Sequence, residues 1–307
     1  MVAALAVSCG GGTHNGASSS SGPTSAVSHA RSTTSTTWPR EAVPGTAYAI
    51  GSGGITEVST VDGRAIRKIA DLPAGQEPGW IEADRAHGRI FFGTNSCDGP
   101  SWIWVVSIAG GSPSRITDGY SVSVSPDGTR IAFPRLLDGC AAAAIVVRDI
   151  QRGTETIWDG TSTISEVGSV AWAPDGHRLA YESLPDHHIY ILDTRDPHAA
   201  LGGKPILVGR LGDAAIANGK WTVALISPCP PEVGDGCPAH ATIVDADTGA
   251  VLRGYPEVAN LIAVDLNDAG TALLLQQHQT SEPLGTLAAR FGERTVTKIV
   301  SGLILDW

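Results

Sequence analysis

Tyr120-Ser-Val-Ser-Val-Ser125-Pro-Asp-Gly-Thr-Arg130-Ile-Ala-Phe133 is the stretch on which the fold reading rests. It reads as an alternating strand, a Pro-Asp-Gly turn and a second, apolar strand. Proline presets φ for the turn, aspartate caps it with its side chain, and glycine takes the left-handed position. The same arrangement returns in Gly168-Ser-Val-Ala-Trp172-Ala-Pro-Asp-Gly-His-Arg178-Leu-Ala-Tyr181. A third strand follows each copy, Ala144-Ile-Val-Val-Arg-Asp149 and His188-Ile-Tyr-Ile-Leu-Asp193, and then a weaker fourth, Glu155-Thr-Ile-Trp158 and Pro205-Ile-Leu-Val-Gly209.

Fainter copies extend outward on both sides. Trp80-Ile-Glu-Ala leads through His87-Gly-Arg-Ile-Phe-Phe-Gly93 to Ser101–Ser107, Asn218–Leu225 leads to Ala241–Asp245, and Leu261–Asp265 leads through Ala269–Leu275 to Leu284–Ala289. One residue of each second strand gives a ruler: Tyr48, Ile90, Ile131, Leu179, Thr222 and Leu273, with gaps of 42, 41, 48, 43 and 51 residues. A four-stranded propeller blade takes about 40 to 45 residues, with insertions in loops. The expectation is an all-β fold, a six-bladed β-propeller of four-stranded antiparallel blades. The first repeat, Gly45–Ile50, starts at a second strand, and Gly302-Leu-Ile-Leu-Asp-Trp307 reads as an inner strand with nothing after it. Joined, they make one blade, so the C-terminal strand completes the first blade and closes the ring, removing exposed sheet edges.

The Ser125-Pro-Asp-Gly128 type of turn, followed by an Arg-Ile-Ala-Phe strand and an Ile-Tyr-Ile-Leu-Asp strand, resembles the TolB-like family of bacterial propeller repeats. The resemblance covers roughly residues 78 to 300 and is strongest at Ser125–Phe133 and Ala173–Asp193. It implies the fold and says little about chemistry, because the turn residues are structural. TolB carries an additional N-terminal α/β domain where this chain has a linker, so a role in the Tol-Pal system does not carry over.

Composition agrees with many short strands: 37 glycines and 19 prolines among 307 residues, with 42% hydrophobic and 17% charged. No run of 18 apolar residues exists, so no transmembrane helix is expected. The net charge of −10 argues against nucleic acid as a partner. Residues 1–9 read as a signal remnant and lipobox: Leu5-Ala-Val-Ser-Cys9 is similar to the end of a bacterial lipoprotein signal, in which Cys9 carries the lipid. The segment before Cys9 is short and lacks a basic n-region, so a start upstream of Met1 is expected. Residues 10–44 are a Ser/Thr/Gly-rich linker too poor in apolar surface to fold. As a flexible coil it would hold the domain, residues 45–307, roughly 30 Å from its anchor.

Four further cysteines remain, Cys97, Cys140, Cys229 and Cys237, none in a zinc spacing. They fall in loops between second and third strands, which open on one face, and the pairs Cys97–Cys140 and Cys229–Cys237 are expected in an oxidising compartment. The same face gathers Asp98, Asp138, Asp186, His187, His188, Asp235 and His240, a candidate ligand-binding rim. His187-His188 has no partner at metal-ligand spacing, and no metal or cofactor is expected. Asp245-Ala-Asp247-Thr-Gly249 lacks the third Asp and the terminal Glu of a calcium loop and reads as a structural turn. No Gly-x-Ser-x-Gly elbow or Rossmann fingerprint occurs. Trp80, Trp102, Trp104, Trp158, Trp172 and Trp221 fall in strands and are expected to pack between blades.

Inner strands read as Val122–Ser125, Val170–Ala173, Ile262–Asp265 and Leu303–Asp306, small and apolar apart from Asp265 and Asp306. This points to a binding or scaffolding module rather than an enzyme: a lipid-anchored, extracytoplasmic, monomeric propeller presenting a face to an envelope protein or glycan. The alternative is a propeller hydrolase or lyase acting on an envelope polymer at the channel mouth. Three or more ionisable groups converging there would favour it.

Overall fold

The computed structural model describes residues 45–93, 101–136, 142–161, 164–184, 186–217, 220–227, 239–255, 261–266, 273–278, 287–291, 294–299 and 304–306. Its strands are β1 (Thr46–Gly51), β2 (Gly54–Ser59) and β3 (Ala65–Ala70); β4 (Trp80–Asp84), β5 (Arg89–Gly93), β6 (Trp102–Ser107) and β7 (Ser114–Asp118); β8 (Ser123–Val124), β9 (Arg130–Leu136), β10 (Ala142–Asp149) and β11 (Glu155–Asp159). They continue as β12 (Val167–Trp172), β13 (Arg178–Ser183), β14 (His188–Asp193) and β15 (Leu207–Val208); β16 (Arg210–Ala217), β17 (Lys220–Ile226), β18 (Ala241–Asp245) and β19 (Val251–Gly254); β20 (Leu261–Leu266), β21 (Leu273–His278), β22 (Leu287–Phe291) and β23 (Arg294–Ile299); and β24 (Ile304–Asp306).

These strands form six four-stranded sheets. Five are meanders of consecutive strands, β4–β7, β8–β11, β12–β15, β16–β19 and β20–β23. The remaining sheet has the order β24-β1-β2-β3. Every pairing is antiparallel, and β24 lies beside β1 with Tyr48 opposite Asp306 and Ile50 opposite Ile304. The last strand thus supplies the inner strand of the first sheet, as the sequence reading expects. Sheets contact their neighbours in chain order, and the circuit returns to the start where β24 meets β4 on one side and β21 on the other. The architecture is an all-β propeller of four-stranded antiparallel blades.

The second strands carry the core because both faces of a blade are covered by its neighbours. Such strands read as unbroken apolar runs rather than as an alternation. Ile131, Ala132 and Phe133 are all fully buried, as are Ile90, Phe91 and Phe92. Buried clusters accordingly straddle consecutive sheets. Phe91, Ile103, Ile131, Phe133 and Val146 form one, and Ala180, Ile189, Trp221, Val223 and Val244 form another. Trp80, Trp158, Trp172 and Trp221 are buried in these layers, whereas Trp102 and Trp104 are half-buried.

Each Pro-Asp-Gly turn closes as its residues dictate. Gly128 and Gly176 sit at φ 64° and 69°. The Asp127 Oδ1 accepts the Thr129 amide at 3.0 Å, and the Asp175 Oδ1 accepts the His177 amide at 2.7 Å. An arginine opens three of the second strands and reaches the next blade. Arg89 donates to the Gly128 carbonyl at 2.8 Å, Arg130 to the Gly176 carbonyl at 2.9 Å, and Arg178 to the Asp247 Oδ1 at 2.6 Å. Arg130 also lies over the Trp172 ring, and Arg178 over the Trp221 ring, at 4.9 and 4.5 Å. The Asp245–Gly249 segment is a turn, with Asp245 Oδ1 accepting the Asp247 and Thr248 amides. Among the described residues no helix is long and apolar enough to cross a membrane.

Candidate functional site: channel wall and rim

Inner strands line the axis of the ring, and at one equivalent position they carry a side-chain acceptor aimed at the next blade. Asp306 on β24 accepts the Ala83 amide of β4, and Glu82 on β4 accepts the Val124 amide of β8 at 3.4 Å. Ser123 on β8 accepts the Trp172 amide of β12 at 3.1 Å. On β12 the equivalent position is Ala171, and there the next blade's Leu211 amide is met instead by Glu182 of β13 at 3.0 Å. Asp213 on β16 accepts the amides of Leu266 and Ala214. It occupies a bulge, since the β16–β17 register shifts between Leu211 and Ala214. A bulge re-aims a side chain, and this one turns Asp213 toward the channel. The neighbouring Gly212 is required by crowding: a Cβ there would lie 2.5 Å from the Val264 carbonyl oxygen of β20.

Four consecutive blades therefore present carboxyls to the channel: Asp213, Asp265, Asp306 and Glu82. Asp213 is hydrogen-bonded to Asp265, and Asp265 to Asp306. Burial in the wall pushes Asp265 and Glu82 well above the usual carboxylate range, and the neighbouring carboxylates, Asp306 foremost, add to it. Asp213 is pushed up to about 7, chiefly by burial, against the opposing pull of its amide and side-chain hydrogen bonds. Glu82, Asp213 and Asp265 are half-buried, and Asp306 is buried.

This corrects the expectation of apolar inner strands with two acidic residues. Glu82 and Asp213 were missed because the inner strand of each blade was read without its bulge and without aligning Trp80-Ile-Glu82 and Leu211-Gly-Asp213 on the positions of Asp265 and Asp306. That alignment was the available signal.

The opposite ends of the second strands, away from the Pro-Asp-Gly turns, form the histidine rim. His187 adopts φ 54° and places Nδ1 2.5 Å from Oε1 of the buried Glu182, while its carbonyl accepts the Gly209 amide at 2.8 Å. His188 Nδ1 lies 2.6 Å from Asp186 Oδ2, and its ring meets the edge of Tyr190. Burial raises Asp186, but hydrogen bonds from the His188 amide and imidazole outweigh it and hold the carboxyl below its ordinary range. The His240 amide donates to Ser227 Oγ at 2.9 Å. Burial also pushes Tyr120 up, with Arg210 and Glu182 facing it. Each rim histidine of the pair is thus engaged by its own carboxylate, and among the described residues no three His, Cys, Asp or Glu side chains are disposed to hold a metal. Asp98, Asp138 and Asp235 lie outside the described residues, as do Cys9, Cys97, Cys140, Cys229 and Cys237.

No protein-family model matches the chain, and no curated protein sequence does. Solved structures similar to it include TolB from Acinetobacter baumannii, 17% identical at a TM-score of 0.62, covering 86% of this chain and 68% of that one. A putative TolB from Agrobacterium tumefaciens is 16% identical at a TM-score of 0.55, covering 72% of this chain and 81% of the other. A chain of a nidogen/laminin complex is 11% identical at a TM-score of 0.58, covering 85% and 98%. At these identities the likeness is one of fold, the TolB-like propeller.

Proposed function

We propose that this chain is a binding or scaffolding module of the bacterial cell envelope, with its six sheets forming the six blades of one monomeric ring. Cys9 carries a lipid, residues 10–44 are the tether, and the two disulfides Cys97–Cys140 and Cys229–Cys237 stiffen loops of the face that meets a protein or glycan. The observation that supports it is the use made of the channel side chains. Asp306, Glu82, Ser123 and Asp213 hold the amides of adjacent inner strands, so chemistry inside the channel competes with ring integrity and the histidine rim is the surface left to contact a partner. Two of the similar folds are a TolB and a chain solved in a nidogen/laminin complex, in keeping with a protein partner.

The test is capture from envelope extract by the soluble chain from Ala42 onward, beside a variant carrying Asp186→Ala, His188→Ala and His240→Ala. A species retained by the parent and lost by the variant supports the reading. Nothing retained, together with turnover of an envelope polymer, would overturn it. That outcome would favour the second reading, a channel-mouth hydrolase or lyase, for which the convergence of Asp213, Asp265 and Asp306 is the specific observation. Metabolic labelling with a fatty-acid analogue, lost in Cys9→Ala, tests the anchor.

A further inference from the structure

Two ionised carboxylates cannot hydrogen-bond each other, because an ionised carboxylate is an acceptor only. Asp265 is bonded on one side to Asp213 and on the other to Asp306. A single O–H serves one acceptor well, so the two bonds require two protons among three carboxyls. Backbone amides orient the ends of this chain: Ala83 donates to Asp306, and Leu266 and Ala214 donate to Asp213.

The groups that face the trio are themselves mostly acidic. From β4 comes Glu82, and beside Glu82 lies Asp84, which is paired with Arg89 and with His87 at 2.7 Å. From β1 comes Tyr48, raised chiefly by burial and further by Glu57 and then Asp306, with Arg85, which opposes the shift, lying over its ring at 4.5 Å. The carboxyls of neighbouring inner strands, rather than a cation, weigh most on Asp265 after burial.

The position of the trio gives it consequence. Three residues of β24 pair with β1; beyond that sheet the strand meets β4 and β21, and Asp306 is bonded to the Ala83 amide of β4 and to Asp265 of β20. We infer that Asp213, Asp265 and Asp306 form a proton-holding clasp across the seam where the chain closes on itself, so that ring closure loosens as the solution becomes alkaline. The sign follows from the raised folded-state values. Stability from the clasp is full below the ordinary carboxylate range and is lost as pH climbs through the raised value, about 7 for Asp213.

Thermal unfolding of the whole chain at constant ionic strength tests this. Between about pH 5 and about pH 8.5 the midpoint of the parent should fall by about 4 °C or more. Asp265→Asn, which keeps one donor and one acceptor without a charge, should flatten that dependence and exceed the parent at the alkaline end. A midpoint that is level or rising over this range would overturn the clasp. Should Asp265→Asn fail to fold, infrared spectroscopy of the parent decides. A protonated-carboxyl band that shifts in deuterated water should persist near neutral pH, and its absence would overturn the inference.

Discussion

The propeller joins its blades by two devices at two places, the Pro-Asp-Gly rim and the channel wall, and they differ in charge logic. At the rim, Arg89, Arg130 and Arg178 each reach from one blade to the turn of the next. Opposite charges are close to them: Arg178 is also paired with Asp175 at 2.6 Å. In the channel wall three of the joining groups, Asp306, Glu82 and Asp213, are set among their own kind. The rim is satisfied with every group in its ordinary charge state, whereas the wall is satisfied only when some carboxyls keep their protons. A repeat protein that must close into a ring can therefore use charge pairs at its turns and shared protons along its axis.

The first way to break this comparison is steric. Gly212→Val would drive a side chain into Val264 across the wall, where the Cβ alone meets the carbonyl oxygen at 2.5 Å. The expected loss is about 3 kcal/mol by chemical denaturation, because backbone cannot yield as a flexible side chain does. Next comes Arg130→Ala, which removes the bond to the Gly176 carbonyl and the contact with the Trp172 ring. That should cost about 2 kcal/mol at any pH near neutrality.

The wall should respond with the opposite sign. Asp213→Asn is expected to stabilise by about 1 kcal/mol near pH 8 and to change little near pH 4, since only the ionised form is penalised. The smallest effect belongs to a rim carboxyl. Burial pushes Asp127 up, but hydrogen bonds from Ser125 and Thr129 bring it to about 2. Its contribution is present above the ordinary range and is lost as pH falls through about 2. Asp127→Ala should cost about 0.5–1 kcal/mol at neutral pH. A Gly212→Val chain as stable as the parent, or an Asp213→Asn chain less stable at pH 8, would show that the two regions are not held as described.

The Pro-Asp-Gly rim was legible in the sequence and the wall was not. Ser125-Pro-Asp-Gly128 and Ala173-Pro-Asp-Gly176 announce their turns because each residue type answers a local need, and the arginine two residues on opens the next strand. Pairing of β24 with β1 was legible too, from a repeat that lacks its inner strand at one end of the chain and supplies it at the other. Glu82 and Asp213 escaped because a lone acidic residue in a short apolar strand has no local signature. Asp213 further depends on a bulge, which shifts register by one residue and so changes the direction in which a side chain points. His187 and His188 were named from the sequence, but Glu182, the buried partner of His187, was not, because it lies inside an apolar strand, Arg178–Ser183, where a core residue is expected.

By itself the sequence determined the strands, their turns, the repeat and the closure of the first sheet by the last strand, since these depend on neighbours along the chain or on a period that can be counted. Which side chains meet at the axis was decided only by tertiary structure. Asp213, Asp265, Asp306 and Glu82 are far apart in the chain, and only the ring brings them close enough for their charges to weigh on one another.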